Sequence, residues 1–267
     1  MNKITVCGVE ITNPEKNIDK KIKKIDLIEY YRKIAPFILP YIKTRPLSEI
    51  RCHNKFNDCF FKKHPNATNQ LIYIKTKKEL IIEAQLGSIE FHTYGCNSEN
   101  LNKPNMMVFD FDPDEKISHK KIADCVMKVK ILLDSLKLES FLKTSGGKGY
   151  HIVVPFKSSK NWKDFEGFAK NIADILEKKY PNLFTTNIRK SERKGKIFVD
   201  YLRNKKGATC VAPYSLRARE NLTVSLPINW NDIYKIRPNQ VTIKNVDRYL
   251  SKDVWKKFFR IKQNLNW

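Results

Sequence analysis

No apolar run in this sequence approaches the roughly 18 residues that a membrane-spanning helix needs, so an integral membrane protein is not expected. The first residues, MNKITVCGVE, lack the apolar core of a secretion signal. No internal repeat, low-complexity tract or Gly/Ser linker interrupts the chain, which argues against a solenoid or a disordered tail. The six cysteines (Cys7, Cys52, Cys59, Cys96, Cys125 and Cys210) include no C-x-x-C pair. Reduced thiols in a cytoplasmic protein are the expectation. Zinc is not expected either, because Cys52, His53, Cys59 and His64 have a spacing that matches no common finger.

Acidic residues are scarce as well: 28 stand against 51 Lys plus Arg, a net charge of +23. A lysine-rich coding bias would ordinarily raise glutamate along with lysine, so the imbalance points to a polyanionic partner, most simply nucleic acid. No basic amphipathic segment marks a membrane surface instead. At 41% hydrophobic and 30% charged, the 267 residues can bury a sizeable core.

Along the chain, the charge run KNIDKKIKKID reads as a surface loop. DLIEYYRKIAPFILPYI has helical spacing, with Asp26 as the expected N-cap and Pro36 starting a fresh turn. LSEIRC, CFFKKH and LIYI read as short strands, KKELIIEAQLG as a helix stopped by Gly87, and SIEFHTY as a strand. From residue 105 the order changes: strand MMVFDFD, a helix over about 118–137, strands ESFLKTS and YHIVVPF around a glycine turn, and a helix over about 161–179. Strand KIFVDYL follows, then strand at TCVA and LTVSL and a terminal helix near 246–263. The β-α-β-β-α-β order is that of a ferredoxin-like or RRM-like sheet. The expected class is α+β, one domain over 1–267 with interleaved modules: an N-terminal α/β module over roughly 1–100 and a catalytic module over 105–267.

The chemistry concentrates in a few places. Asp110 and Asp112 are two apart on one strand, so both side chains leave the same face while Phe109 and Phe111 point into the core. Carboxylates in such a pair suit Mg²⁺ or Mn²⁺; taken alone, they equally describe a solvated strand end closed by Pro113. Asp200 in KIFVDYLRN adds a third acid on a strand that can lie beside the first, as a two-metal phosphoryl-transfer site requires. In KTSGGKGYH, Gly146, Gly147 and Gly149 permit close backbone approach to a phosphate, with Ser145 and Lys148 adding a hydroxyl and a charge. It is not a Walker A loop, and a plain β-turn would read the same. His92 and His151 lie on nearby strands, and each could donate to triphosphate oxygens. Arg217 and Arg219 form a possible phosphate clamp. Phe60 and Phe61, beside Lys62 and Lys63, offer stacking surface in a cationic patch, though a buried strand explains the phenylalanines as well.

These motifs, VFDFDPD, SGGKGYH and IFVDYLRNKKGATCVAPYSLRAR, closely resemble the polymerase domain of the ligase D family, within the archaeo-eukaryotic primase superfamily that serves non-homologous end joining. The resemblance runs from ITNPEK through LTVSLP. It implies a primase-like catalytic core and a template-dependent nucleotidyltransferase that fills gaps and extends 3′ ends at DNA double-strand breaks. Two divalent ions, Mn²⁺ or Mg²⁺, would be held by Asp110, Asp112 and Asp200. Ser145, Gly146, Gly147 and Lys148 fall on the triphosphate loop, with His92, His151, Arg217 and Arg219 as further nucleotide contacts. Lys16 and Lys24 fall on the lysines that grip a downstream 5′-phosphate, and Arg51, Phe60, Phe61 and Lys63 on the DNA-contacting side. Two departures bear on template contact: HTYG stands where the family often has Trp-Gly after the histidine, and the segment between Arg51 and Cys59 looks shortened. No ligase or nuclease motif is read in the chain. The implied partners are therefore broken or gapped DNA, nucleoside triphosphates, Ku and an ATP-dependent DNA ligase supplied separately or by the rest of a longer chain, in the nucleoid. A primase of the same superfamily and a catalytically idle DNA-end-binding module remain as alternatives.

Overall fold

In the computed structural model, residues 4–53, 58–64, 70–250 and 254–265 are described. The chain divides into two compact units, Met1–Tyr94 with Val211–Ser225 and Val241–Lys252, and Gly95–Cys210 with Leu226–Gln240 and Asp253–Trp267. No helix among the described residues is long and apolar enough to cross a membrane.

The first unit opens with hairpin β1 (Ile4–Val6) and β2 (Val9–Ile11), then a second, β3 (Asn17–Asp19) and β4 (Ile22–Lys23). The lysine-rich run expected to be a loop is thus largely this second hairpin. Helix α1 (Lys24–Ile42) follows directly. Its N-cap is Lys23 rather than Asp26: Asp26 sits at the third helical position and accepts the Lys23 backbone N–H at 2.7 Å. Pro36 and Pro40 both lie inside α1, contrary to the sequence expectation. Pro36 and Arg32, whose carbonyl loses its helical donor, lie on the exposed side, where water can take the place of the missing N–H. The opposite face buries Leu27, Tyr31, Ile34 and Ile38.

Strands β5 (Leu47–Cys52) and β6 (Cys59–Lys62) pair antiparallel, and β7 (Ser88–Tyr94) pairs on the other side of β5. Between them lies α2 (Lys77–Gln85), capped by Thr76 and Glu79 in a reciprocal box. Gly87 ends it at φ +95°, where an added Cβ would stand 2.7 Å from the Cys52 carbonyl oxygen. LIYI does not become a strand; Ile72 makes only an isolated bridge to Leu47. Cys52 and Cys59 face each other across the ladder and are joined as a disulfide. This corrects the expectation of reduced thiols throughout: pairing in register brought the two together, while Cys7, Cys96, Cys125 and Cys210 form no disulfide.

The second unit is built on β8 (Met106–Pro113), α3 (His119–Ser135), β9 (Phe141–Thr144), β10 (Tyr150–Pro155), α4 (Trp162–Lys179), β11 (Phe184–Thr185) and β12 (Ile197–Asp200). After β13 (Thr209–Val211), where the chain returns to the first unit, a short β14 (Pro227–Ile228) completes a six-stranded sheet in the order β11-β12-β8-β10-β9-β14. Its middle four strands have the ferredoxin-like order, with β8 and β10 at the centre. Phe109 and Phe111, fully buried, fill one side of β8, and the amphipathic α3 and α4 bury Val126, Leu133, Phe165 and Ile172. LTVSL makes only isolated bridges. The terminal helix is also absent among the described residues: short 3₁₀ turns at Val246–Tyr249 and Phe258–Arg260 replace it. In the second of these segments tertiary packing wins over helical spacing. The Trp255 indole N–H donates to the Leu142 carbonyl at 3.0 Å, and Trp255 and Phe258 both pack on Phe141.

Candidate active site

Strand register in the six-stranded sheet writes out the site. Asp110 on β8 lies opposite Asp200 on β12 on one side and opposite His151 on β10 on the other. His151 in turn lies opposite Lys143 on β9. One row across the sheet therefore reads Asp200, Asp110, His151, Lys143, and Asp112 joins it from two residues further along β8, on the same face. The three acids share a face as the sequence spacing required.

The row is bonded along its length. His151 Nε2 lies 3.1 Å from Asp110 Oδ1, and the Lys143 ammonium nitrogen lies 2.8 Å from His151 Nδ1. Cys210 Sγ lies 3.0 Å from the same Nδ1. Lys143, His151 and Cys210 are all buried, so His151 stands behind the acids, engaged on both ring nitrogens. Arg203, three residues beyond Asp200, places Nε 2.9 Å from Asp200 Oδ2 and 3.9 Å from Asp110 Oδ2. Sequence reasoning missed Arg203, Lys143 and Cys210. The signal for Arg203 was its i, i+3 spacing from Asp200; for the other two it lay in the cross-strand register.

The charges set the acids apart. Desolvation pushes Asp112 up to about 6, reinforced by Asp110 and Asp200. Asp200 is also raised by burial and by Asp110, against the pull of Arg203. Burial would raise Asp110 too, but the charge and hydrogen bond of His151, with Arg203 and Lys143, hold it well below the usual carboxylate range. Among the described residues, no three His, Cys, Asp or Glu side chains stand gathered to hold an ion; Asp110 and Asp200 are engaged with His151 and Arg203. The donor set nevertheless fits a hard divalent cation: all-oxygen, on one face, and with two members whose ionisation is opposed by their neighbours.

The β9–β10 turn carries SGGKG. Ser145 Oγ accepts the backbone N–H groups of Gly147 and Gly149 at 3.0 and 3.3 Å, so the serine organises the turn. Gly146 has φ +66°. Gly149 packs so closely that a Cβ would lie 1.7 Å from the Phe111 carbonyl oxygen, which presses the turn against β8 between its two acids. Lys148 projects to solvent and pairs with Glu115.

The remaining site residues belong to the first unit. His92 and Arg217 are brought together by Glu90, a buried residue that sequence reasoning passed over although it lies two before His92 on the same strand face. Glu90 Oε2 lies 2.8 Å from His92 Nε2 and accepts from Arg217 Nε at 2.9 Å, while Oε1 accepts the Ala218 N–H at 2.8 Å. Burial opposes ionisation of Glu90, yet these donors together bring it down to about 2. Arg219 stands exposed in the next turn.

Lys16 and Lys24 line one cavity of about 300 Å³ together with Asn13, Cys52, His53 and Gln85. The Lys24 ammonium donates to the Thr12 carbonyl at 2.9 Å, and that of Lys16 to the His53 carbonyl. Desolvation and the neighbouring Lys16 charge lower the Lys24 pKa. Arg51 is turned inward, its Nη2 held by Glu83 and Glu49 and its Nε by Ser88, so it braces β5, β7 and α2. Phe60 and Phe61 are 41% and 49% exposed on the edge strand β6. Phe60 stacks on His53 at 5.0 Å, Phe61 meets His92 edge-on, and the Lys63 ammonium lies 5.8 Å from the Phe61 ring.

Comparison with known proteins identifies the family. The family model of the LigD primase-polymerase domain matches residues 23–255. The chain is 33% identical, over 99% of its length, to the multifunctional non-homologous end joining protein LigD of Pseudomonas aeruginosa, of which it covers 34%. It is 27% identical, over 89% of its length, to the bifunctional non-homologous end joining protein LigD of Bacillus subtilis, covering 42% of that protein. The chain thus spans well under half the length of these relatives. Among solved structures, the polymerase domain from Mycobacterium tuberculosis ligase D in complex with DNA matches with a TM-score of 0.83 and 27% identity, over 92% of this chain and 95% of that one. Sheet order, acidic face and family match converge: the chain belongs to the LigD primase-polymerase domain family.

Proposed function

We propose that the protein is a template-dependent nucleotidyltransferase that fills gaps and extends 3′ ends at DNA double-strand breaks during non-homologous end joining. The observation that carries this reading is the opposed pair Asp110–Asp200, with Asp112 on the same face, within the six-stranded sheet. Asp110, Asp112 and Asp200 would hold two divalent ions, Mn²⁺ or Mg²⁺, which would supply charge to lower the pKa of a primer hydroxyl and to offset that of the transferred phosphoryl group. His151, fixed from behind by Lys143, keeps the Asp110 carboxylate oriented, a role behind the acids rather than against the nucleotide. Lys148 and Ser145 on the turn would serve the triphosphate; in the first unit, Glu90 orients Arg217 and His92 as donors that would suit a nucleotide phosphate.

The cavity of Lys16 and Lys24 suits a recessed 5′-phosphate. Two ammonium groups converge there, and each has a backbone acceptor to leave when a dianion arrives. Phe60 and Phe61 would stack on template bases. Nucleoside triphosphates, gapped or broken DNA, Ku and an ATP-dependent ligase activity are the partners this role requires, in the nucleoid.

The test is primer extension on a gapped duplex with each nucleotide set and each metal. Asp110→Ala and Asp112→Ala are expected to abolish nucleotide addition while binding the same duplex within a few fold of the parent protein. Full extension by either variant would overturn the assignment.

A further inference from the structure

Cys52 closes β5 and Cys59 opens β6, and their Cα atoms stand 4.0 Å apart with the sulfurs joined. Their surroundings tie this cross-link to the basic cavity. Cys52 lines the cavity that holds Lys16 and Lys24. Its backbone N–H donates to the Gly87 carbonyl at 3.0 Å, and the next residue, His53, donates its N–H to the Asp58 carbonyl at 3.1 Å. The His53 carbonyl is the acceptor that holds the Lys16 ammonium, and the His53 ring stacks on Phe60. The disulfide therefore anchors a single residue that positions both a cavity lysine and a ring of the exposed aromatic pair.

We propose that Cys52–Cys59 is a redox-modifiable site that sets the affinity of the protein for DNA bearing a recessed 5′-phosphate, the oxidised pair being the tight-binding form. The inference rests on the reading of the Lys16–Lys24 cavity as the 5′-phosphate site. The physical basis is preorganisation. With the cross-link closed, the His53 carbonyl is fixed and Lys16 is held at the cavity; with it open, the strand ends keep their connecting chain and ladder hydrogen bonds but lose the covalent clamp, and the lysine must be ordered on binding. The site also has the character of a switch. The other four cysteines form no disulfide, so the fold does not use disulfides as scaffolding. Cys59 is only partly buried, on an edge strand, where a thiolate can reach it.

Reduction needs a dithiol as co-reactant. One of its thiolates attacks Cys59 Sγ, the S–S bond breaks, and Cys52 leaves as a thiolate that takes up a proton. The second thiol of the reductant then attacks the mixed disulfide and releases Cys59 in the same way. Two electrons and two protons pass to the protein, and the dithiol becomes a disulfide.

The experiment uses the full chain, purified without reductant, before and after treatment with dithiothreitol. The thiol state is read by alkylation and mass measurement. Fluorescence anisotropy follows binding to a gapped duplex carrying a downstream 5′-phosphate and to the same duplex with a 5′-hydroxyl. Reduction is expected to weaken binding to the phosphorylated duplex about fivefold and to leave the hydroxyl duplex unchanged. Cys52→Ser and Cys59→Ser should match the reduced protein and ignore the reductant; unchanged binding of the hydroxyl duplex shows that they are folded. A phosphate preference equal in both redox states, or alkylation of Cys52 and Cys59 before reduction, overturns the redox proposal alone. Absence of any phosphate preference in the oxidised protein overturns the cavity reading on which it rests.

Discussion

In the six-stranded sheet the charged groups are set by backbone register; in the first unit they are set by side chains reaching between loops. Asp200, Asp110, His151 and Lys143 occupy four neighbouring strands, so their spacing is the spacing of the ladder, about 5 Å from one to the next. Lys16, Lys24 and Arg217 instead hang near turns and are tied to the His53 carbonyl, the Thr12 carbonyl and Glu90. A charge placed by a ladder keeps the neighbours that register gives it, whereas one placed by a loop can exchange its acceptor for a ligand. The first arrangement suits a fixed chemical centre, the second suits recognition.

Breaking the rigid side should cost most. Gly149→Ala forces a methyl group into the Phe111 carbonyl, and the expected loss is about 3 kcal/mol of stability, with a rise in nucleotide KM. Thermal melts and steady-state kinetics check it; a variant with parental values would show that the turn is not pressed on β8.

Next comes Glu49, fully buried on β5 with Oε1 unpartnered. Burial and the Glu83 charge push it up to about 7 from the ordinary 4.5. The folded protein then keeps its proton through a window in which the unfolded chain loses it. Stability therefore falls as pH rises from about 4.5 to about 7, and stays reduced above. Glu49→Gln titrates in neither state and should be more stable than the parent by about 2–3 kcal/mol at pH 8, with no gain at pH 4.5. Parallel melting profiles across that range would contradict the assignment.

Arg217→Ala should sharpen the contrast between loop and ladder. It removes a proposed nucleotide contact and also leaves buried Glu90 with His92 and the Ala218 N–H as partners, so both KM and stability should suffer, each by about 2 kcal/mol. Lys148→Ala, at an exposed position, should raise KM alone. Equal melting temperatures for Arg217→Ala and the parent would count against the Glu90 anchor.

The smallest effect is expected at the cavity. The double change Lys16→Ala, Lys24→Ala should cost about 1–2 kcal/mol in binding to a 5′-phosphorylated gap, with a weaker salt dependence, and spare extension of a simple primer–template at high enzyme concentration. Anisotropy across a salt series decides; an undiminished preference for the phosphate would place recognition elsewhere.

Much of the ladder-built side was legible in the sequence. Alternation in MMVFDFD assigns Asp110 and Asp112 to one face and Phe109 and Phe111 to the other, because a strand has only two faces. Helices α2, α3 and α4 carry side-chain caps at Thr76, Ser118 and Asn161, local signals that need no tertiary knowledge. What sequence could not supply was pairing across distance. The Lys143–His151–Asp110 chain, the Glu90–Arg217 bond and the Cys52–Cys59 link each join residues whose neighbourhood is decided by register or by chain return. Pro36 misled for a related reason: an exposed helix face tolerates a missing donor that a buried one would not.

The row across the sheet has a consequence for how the protein acquires its activity as it folds. Its members come from four strands, and a slip of one residue in any of them would carry that member to the opposite face. Partly registered sheets would therefore be inert rather than weakly active. The β9–β10 hairpin is local and can close early, but Asp110 and Asp200 meet only when β12 finds β8 across the whole intervening α4 segment. Recovery of nucleotide addition during refolding should thus trail the return of helical signal, and catalysis itself becomes the reporter that the last long-range strand has docked in register.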